Sequence, residues 1–515
     1  MIHWLIGFLL LANQAHGGDV PVRCATPAML TSILERGLAR APVAPPSDTG
    51  DEDSQKMERD SYGVPNELES ENFIVRWGNN GGVSASDAQS VLDAFEVSWD
   101  VEVLDMDHPA PTTSNQYLFN VYIADTGGNT PSSYGAAGYY NTDPDGYPMI
   151  VLATNTIADL VYGRTTIAHE FYHAIQHTTG SYSYSGDAAW YWEATASWIE
   201  IEVWPDDRYY AVFLFGYALL PYLPLNSFDY PDSGALVEYH QYGAFIFARY
   251  LAEFVGDWRI IRDSWVEPEA NNDDPLESLR VQLAALDVDL DEAFVDFAGR
   301  NVTWDYEHGE DYDYYVDLYA DYYSNEDARI VAEVPSSGLD GWQEVDEDTL
   351  PQRYGYNVVE MSAPHAGDLT VGFMGDQEGD SGSPAEWGVT VIQVTDDERV
   401  YQTVPIADGS GELTLEGVGA EDVIYLMVSV WTGDHREGEA FAWSYMMNLA
   451  TTADTGLFVA PIQDDDDEGG GWGKAACGCA SVEEGRPVYG MGWVLMMLAM
   501  LWSRRQPGLG PTGRL

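Results

Sequence analysis

The stretch "TTIAHEFYHAIQHTTG", Thr165 to Gly180, sets three histidines four residues apart and one glutamate in an otherwise apolar run. Residues His169-Glu170-Phe171-Tyr172-His173 form an HExxH pattern. On a helix, His169 and His173 lie one turn apart on one face, so both imidazoles can reach a single ion. Glu170 lies beside that face, where it can take a proton from water activated there. Ile167, Phe171 and Ile175 form an apolar stripe on the opposite side, so the histidine face is not needed to build the core. The third histidine, His177, lies about 12 Å along the axis from His169, too far for one straight helix to deliver all three. A pattern that turns the chain at Gly and adds a later His is excluded, because Gln176 and Thr179 occupy those positions. His177 reads instead as a helix-end residue favourable to the dipole.

A third ligand must come from elsewhere, and "GDAAWYWEATASWIEIEVWPDD" is the best donor. Asp187 can cap a helix that ends before Pro205. Glu193 sits among Trp190, Trp192, Ala194 and Ala196, where a carboxylate is costly unless it is paired with a cation. Ser197 and Glu200 share its face and are candidates to hold the ligands in place.

Composition narrows the chemistry. The chain has 515 residues, 45% hydrophobic and 13% aromatic, enough for two or three domains with real cores. Against 22 Lys+Arg stand 85 Asp+Glu, a net charge of −63, which repels nucleic acid and anionic lipid. Only three cysteines occur, and none lies between Cys24 and Cys477. The folded body is therefore expected to carry no disulfide framework and no thiolate metal site, leaving His, Asp or Glu as ligands. Cys24, close to the N-terminal leader, is not expected to act as a switch ligand.

The elements that must position these residues begin with a strand at "NFIVRW" (Asn72–Trp77). Ser84 and Asp87 form a capping box before an amphipathic helix. Two further strands, "QYLFNVYIA" and "MIVLAT", flank the turn-rich "TGGNTPSSYGAAGYYNTDPDGYP". Calcium at the acids of "DPDG" (Asp143, Asp145) is conceivable, but Pro-Asp-Gly is turn chemistry first. Trp/Tyr-rich helices, including "HQYGAFIFARYLAEF" and "LDEAFVDFAGRN", run to about Trp304. Beyond Pro335, seven short alternating segments split by Gly/Asp turns read as a β-sandwich.

The combination of HExxH, a short Gly/Ser/Tyr loop and W-x-x-E-A-x-A on a second helix resembles the gluzincin metallopeptidases. It looks closest to a group of secreted myxobacterial metalloproteases with HEFxHAIQ and a downstream Trp-rich Glu helix. That resemblance covers Asn72 to Trp304 and implies that His169, His173 and Glu193 bind zinc and Glu170 is the general base. The His173-to-Glu193 spacing is one residue longer than the commonest gluzincin spacing, and the slack falls in "TTGSYSYSGD". The implied mechanism needs an oxyanion donor. "EYHQYGAF" offers Tyr239, His240 and Tyr242, of which Tyr242, followed by Gly243, is the choice. The segment "SYGAAGYYN" could supply an edge strand that pairs with an extended peptide substrate.

Both ends read as addresses. "MIHWLIGFLLLANQAHGGD" has the apolar run and small residues of a secretory signal. At the other end, Cys477-Gly478-Cys479, an apolar run from Val488 to Trp502 and Arg504–Arg505 resemble the MYXO-CTERM sorting tail of myxobacterial surface proteins. It implies processing by sorting machinery, attachment to membrane at the cell surface, or release.

The expected fold is α+β: a zincin-like catalytic domain followed by an all-β sandwich. The expected boundaries are 1–17 signal, 18–69 acidic linker or propeptide, 70–332 metallopeptidase, 335–455 sandwich, 456–476 linker and 477–506 sorting tail. The expected function is a secreted, cell-surface zinc metalloendopeptidase. Two alternatives are a non-enzymatic surface or adhesion protein with a structural or vestigial zinc site, and a scaffold in which HExxH is accidental. An intact Glu170 argues against the first, because a structural site has no use for a base.

Overall fold

A mixed sheet carries the first part of the chain. β1 (Asn66–Glu69), β2 (Phe73–Trp77), β3 (Phe119–Ile123), β4 (Gly138–Thr142) and β5 (Pro148–Leu152) lie in the order β1-β2-β3-β5-β4. β2, β3 and β5 run parallel, and the outer strands β1 and β4 pair antiparallel to their neighbours. The computed structural model describes Cys24 and residues 56–451, apart from 185, 230–234, 269–273, 324–329, 335–341, 363–366, 377–384, 397 and 433–441. The leader, the Leu30–Leu38 patch, the 456–476 linker and the sorting tail lie outside the described residues. Among the described residues, no helix is long and apolar enough to cross a membrane.

Order begins before Asn72, where the acid-rich segment was expected to act as a linker. β2, buried along its whole length, contains Arg76, only 2% exposed. A buried guanidinium needs counter-charge. Glu58 (3.6 Å), Asp60 (3.9 Å) and Glu67 supply it, and Asn120 accepts a bond from Nε at 3.1 Å. The acids that resemble solvated linker are partners of that strand.

α1 (Ala85–Trp99) starts at the expected capping box, with both reciprocal Ser84–Asp87 bonds present. α2 (Leu160–Thr179) carries HExxH, and its apolar stripe faces the sheet and α1. There Phe171 packs against Phe73, Phe95, Trp99 and Phe119. α3 (Ala189–Val203) is buried on nearly every face, as a helix apolar all round must be. Asp187 does not cap it. The N-cap is Ala188, with no side-chain bond, because a 3-10 turn over Gly186–Ala188 precedes the helix. "HQYGAFIFARYLAEF" breaks into helices His240–Gly243 and Phe245–Tyr250 and a π-turn Leu251–Val255. The break falls where Gly243 meets another segment: a Cβ there would lie 2.7 Å from the Tyr217 nitrogen and 2.8 Å from the Phe213 oxygen.

The second half forms two five-stranded sheets. One has the order β11 (Glu398–Thr403), β10 (Ala385–Thr395), β14 (Val423–Thr432), β8 (Gly355–Ser362), β6 (Ala332–Val334). The other has the order β12 (Ile406–Ala407), β13 (Ser410–Val418), β9 (Gly367–Gly375), β15 (Tyr445–Thr451), β7 (Gln343–Glu344). Their inner faces share one apolar core, with Val389, Leu426 and Val428 from the first meeting Val371, Phe373 and Leu415 from the second. All seven expected strands are present; the short β6 and β7 lie outside them, and β12 begins at Ile406, the last residue of the fourth expected segment.

The chain is thus mixed α and β, but its two halves are not separate bodies. The described residues belong to one compact unit, and Tyr354, Tyr356, Val358, Ile392 and Met427 join the core of the helical half. Arg280, from helix Pro275–Ala284, donates to the Tyr354 hydroxyl at 2.8 Å and pairs with Asp291 at 3.2 Å.

Candidate metal centre

α2 and α3 lie side by side, and the histidine face of α2 turns toward Glu193 and Glu200 of α3. Nε2 of His169 lies 3.2 Å from Oε2 of Glu193, and Nε2 of His173 lies 3.6 Å from Oε1. All three residues are fully buried. Both imidazoles are held from behind through Nδ1. That of His169 meets Oε1 of Glu200 at 3.1 Å, and that of His173 meets Oε1 of Gln176 at 2.6 Å.

The tautomer of His173 follows from the surrounding bonds. Gln176 donates its amide to the Trp192 carbonyl and to Oγ1 of Thr195, each at 2.9 Å. Thr195 donates to the Tyr191 carbonyl at 2.7 Å and accepts from Trp265 Nε1 at 3.2 Å. The oxygen of Gln176 must then accept from His173, which puts the proton on Nδ1 and leaves the Nε2 lone pair facing the centre.

Electrostatics separate the two rings. Burial opposes a charge on His169, but bonds to Glu193 and Glu200 outweigh it and raise its pKa to about 9. Burial dominates at His173 and lowers it to about 4. Burial also raises the Glu193 carboxyl, while the two imidazoles and the Tyr184 hydroxyl more than offset that and leave it below the ordinary carboxylate range. The pocket selects a positive charge between Glu193 and Glu200; a proton on His169 meets that demand, and so would a metal ion.

A fourth donor is Cys24, which is fully buried. Its Sγ lies 3.5 Å from His173 Nε2 and 3.6 Å from Glu170 Oε2. Donor atoms of Cys24, His169, His173 and Glu193 all lie within 4.8 Å of one another, a buried group that could bind a metal. This corrects the expectation that only His, Asp or Glu are available. Position near the leader was a poor guide, because an extended segment of any origin can add to a sheet edge. Here Cys24 forms an isolated parallel bridge with Gly138 of β4.

The other candidates separate clearly. Glu170 packs against β4: a Cβ on Gly138 would lie 3.1 Å from its Cγ and 3.3 Å from its Oε1. Tyr242 is buried with its ring 6.2 Å from that of His169, and its hydroxyl has no hydrogen-bond partner among the described residues. Burial, with Glu193, Cys24 and Glu170 nearby, drives that hydroxyl's pKa well upward, so it stays protonated. Tyr239 instead stacks on Phe213, and His240 packs against Tyr217. His177 stays off the centre, with Nδ1 2.5 Å from the Tyr140 hydroxyl. Of the expected supporting residues, Glu200 engages His169, whereas the Ser197 hydroxyl finds no partner among the described residues. Asp143 and Asp145 receive Arg59 and Ser61 in their turn.

Sequence reasoning set Cys24 aside and missed Tyr184 and Gln176. Tyr184 donates to Glu193 Oε1 at 2.5 Å from the loop that was read only as slack in the spacing. Gln176 was readable, since it lies three residues past His173 on the same face.

Curated proteins offer no match to this chain. Residues 39–453 match the sequence profile of DUF6055, a family of unknown function. That span holds α2, α3 and both sandwich sheets but starts after Cys24. Because it covers most of the chain, the protein belongs to the DUF6055 family.

Proposed function

We propose that this protein is a zinc-dependent metallopeptidase of zincin-like architecture. The observation that carries the reading is the pair of imidazoles anchored through Nδ1 on Glu200 and Gln176, with both Nε2 atoms facing one carboxylate of Glu193. The fit to an ion is a matter of donor geometry. Ligands at zinc distances in a tetrahedron stand roughly 3.3–3.7 Å apart. Three contacts here, His169–Glu193, His173–Cys24 and His173–Glu193, are 3.2, 3.5 and 3.6 Å, and one donor atom from each of the four residues lies within 4.8 Å of the others. Nitrogen, oxygen and sulfur donors in a tetrahedral group suit zinc.

His169, His173 and Glu193 would hold the ion, which when bound supplies a Lewis acid that polarises a carbonyl and strengthens water as a nucleophile. The protein's own groups do the rest. Glu170, beside the histidines, accepts the proton of the attacking water and passes it to the leaving amine. The protonated Tyr242 hydroxyl stabilises charge developing on the carbonyl oxygen. β4 lies at the sheet's edge, so an extended peptide can add to it beside Glu170. The leader and tail would take this activity outside the cytoplasm, to the cell surface.

Cys24 favours a second reading, a structural site in a surface protein, because structural zinc sites have four protein ligands. Elemental analysis of the purified full chain and its Glu193→Ala variant tests the site itself. About one zinc per chain is expected in the wild type and markedly less in the variant; no zinc in folded wild type overturns the proposal. Glu170→Gln separates the readings: it should keep its zinc while hydrolysis of a mixed peptide library falls about 10²–10⁴-fold. Unchanged hydrolysis would remove Glu170 from the chemistry.

A further inference from the structure

Cys24 reaches the centre by a different route from the other donors. His169, His173 and Glu193 come from two helices packed into the core. Cys24 comes from the open side of β4, whose other side pairs with β5. Its bridge to Gly138 occupies the strand edge beside Glu170. Its sulfur is also 3.6 Å from Glu170 Oε2, so one side chain covers the fourth donor position and the base together. A purely structural fourth ligand would have no reason to engage the base. The family match starts at residue 39, so Cys24 lies ahead of it while the other three donors lie within it.

We infer that Cys24 is a releasable intramolecular cap that holds the site latent, an inference that rests on the metallopeptidase reading above. In the closed state Cys24, its Sγ 3.5 Å from His173 Nε2 and 3.6 Å from Glu170 Oε2, would fill the fourth position on the ion as a thiolate, its proton passing to the Glu170 carboxylate that it covers. On opening, Cys24 would take its proton back and leave the donor group, so that His169, His173 and Glu193 would hold the ion with a position free for water and Glu170 uncovered. No oxidant or reductant is needed. Any event that lifts Cys24 off β4, such as proteolysis ahead of the family span, frees both the strand edge and Glu170.

The test uses cobalt(II) in place of zinc, in the full chain carrying Cys477→Ser and Cys479→Ser so that Cys24 is the sole thiol. Sulfur-to-cobalt charge-transfer absorption in the near ultraviolet is expected with Cys24 present and absent in Cys24→Ala, with visible ligand-field bands in both. Acetohydroxamate, followed by those visible bands, should bind Cys24→Ala at least about tenfold more tightly, because a closed cap reduces apparent affinity by the open fraction. Visible bands without charge transfer in the capped protein would overturn the cap while leaving the metal site standing. Loss of cobalt from a folded Cys24→Ala would make Cys24 a structural ligand and also overturn it. Should that variant not fold, the capped protein alone decides. Acetohydroxamate must abolish the charge-transfer band and expose the thiol to Ellman's reagent without changing the circular dichroism; failure to do so sinks the cap. No cobalt binding at all would overturn the metallopeptidase reading and the cap together.

Discussion

At the residue scale, the candidate metal centre depends on groups outside its set of possible ligands. Gln176 fixes the tautomer of His173 because two acceptors hold its amide nitrogen. Gln176→Leu removes that acceptor, and metal affinity should fall about 10–100-fold in competition with a chelator, with the fold retained. An unchanged affinity would mean that the ring is oriented by packing alone. Glu102 is a different kind of buried acid. Neither of its carboxyl oxygens has a hydrogen-bond partner among the described residues, and burial raises its pKa well above the usual carboxylate range. A raised folded-state pKa contributes stability below the unfolded-state value, and that contribution is lost as pH climbs through the folded-state value. Glu102→Gln should therefore flatten the fall of Tm between the ordinary carboxylate range and alkaline pH. A pH–Tm profile parallel to wild type would show that Glu102 is not the group responsible.

At the element scale, placement of Tyr242 depends on a close crossing. The short helix His240–Gly243 meets the Phe213–Tyr217 segment at Gly243, where a Cβ would approach backbone atoms at 2.7 and 2.8 Å. Backbone cannot rotate away, so Gly243→Ala should cost about 1–3 kcal/mol, read as a lowered denaturation midpoint with the slope unchanged. Wild-type stability would show that the two segments separate easily. The same scale explains why α3 can carry two buried glutamates. Glu193 and Glu200 lie seven residues apart, and the His169 ring spans them, with Nε2 toward one and Nδ1 toward the other.

At the scale of the whole molecule, the sandwich contributes to the core of the helical half. Tyr354 and Tyr356 lie in that core, and Tyr401 donates to Asp305 at 2.8 Å. Calorimetry of the purified chain should show one cooperative transition spanning both halves. Two resolved transitions would mean that the shared core is too weak to couple them. The net charge of −63 adds self-repulsion to the folded state. Salt screens such repulsion, so Tm should rise as ionic strength increases.

Sequence by itself determined the parts governed by local periodicity. HExxH fell on a helix because its apolar stripe repeats at helical spacing, and the capping box and seven sandwich strands followed from equally local patterns. Glu193 was legible because an acid among tryptophans demands a cation. Tertiary structure alone decided what meets across long separations. Cys24 lies 149 residues from His173, and no pattern encodes a contact of that span. Nor could composition reveal that the acids before β2 neutralise a buried Arg76, since solvated and paired acids look alike until the strand is placed. The expected domain boundary was blurred for the same reason: a residue's burial depends on what packs over it, and Tyr354 and Tyr356 are covered by helices far away in the chain.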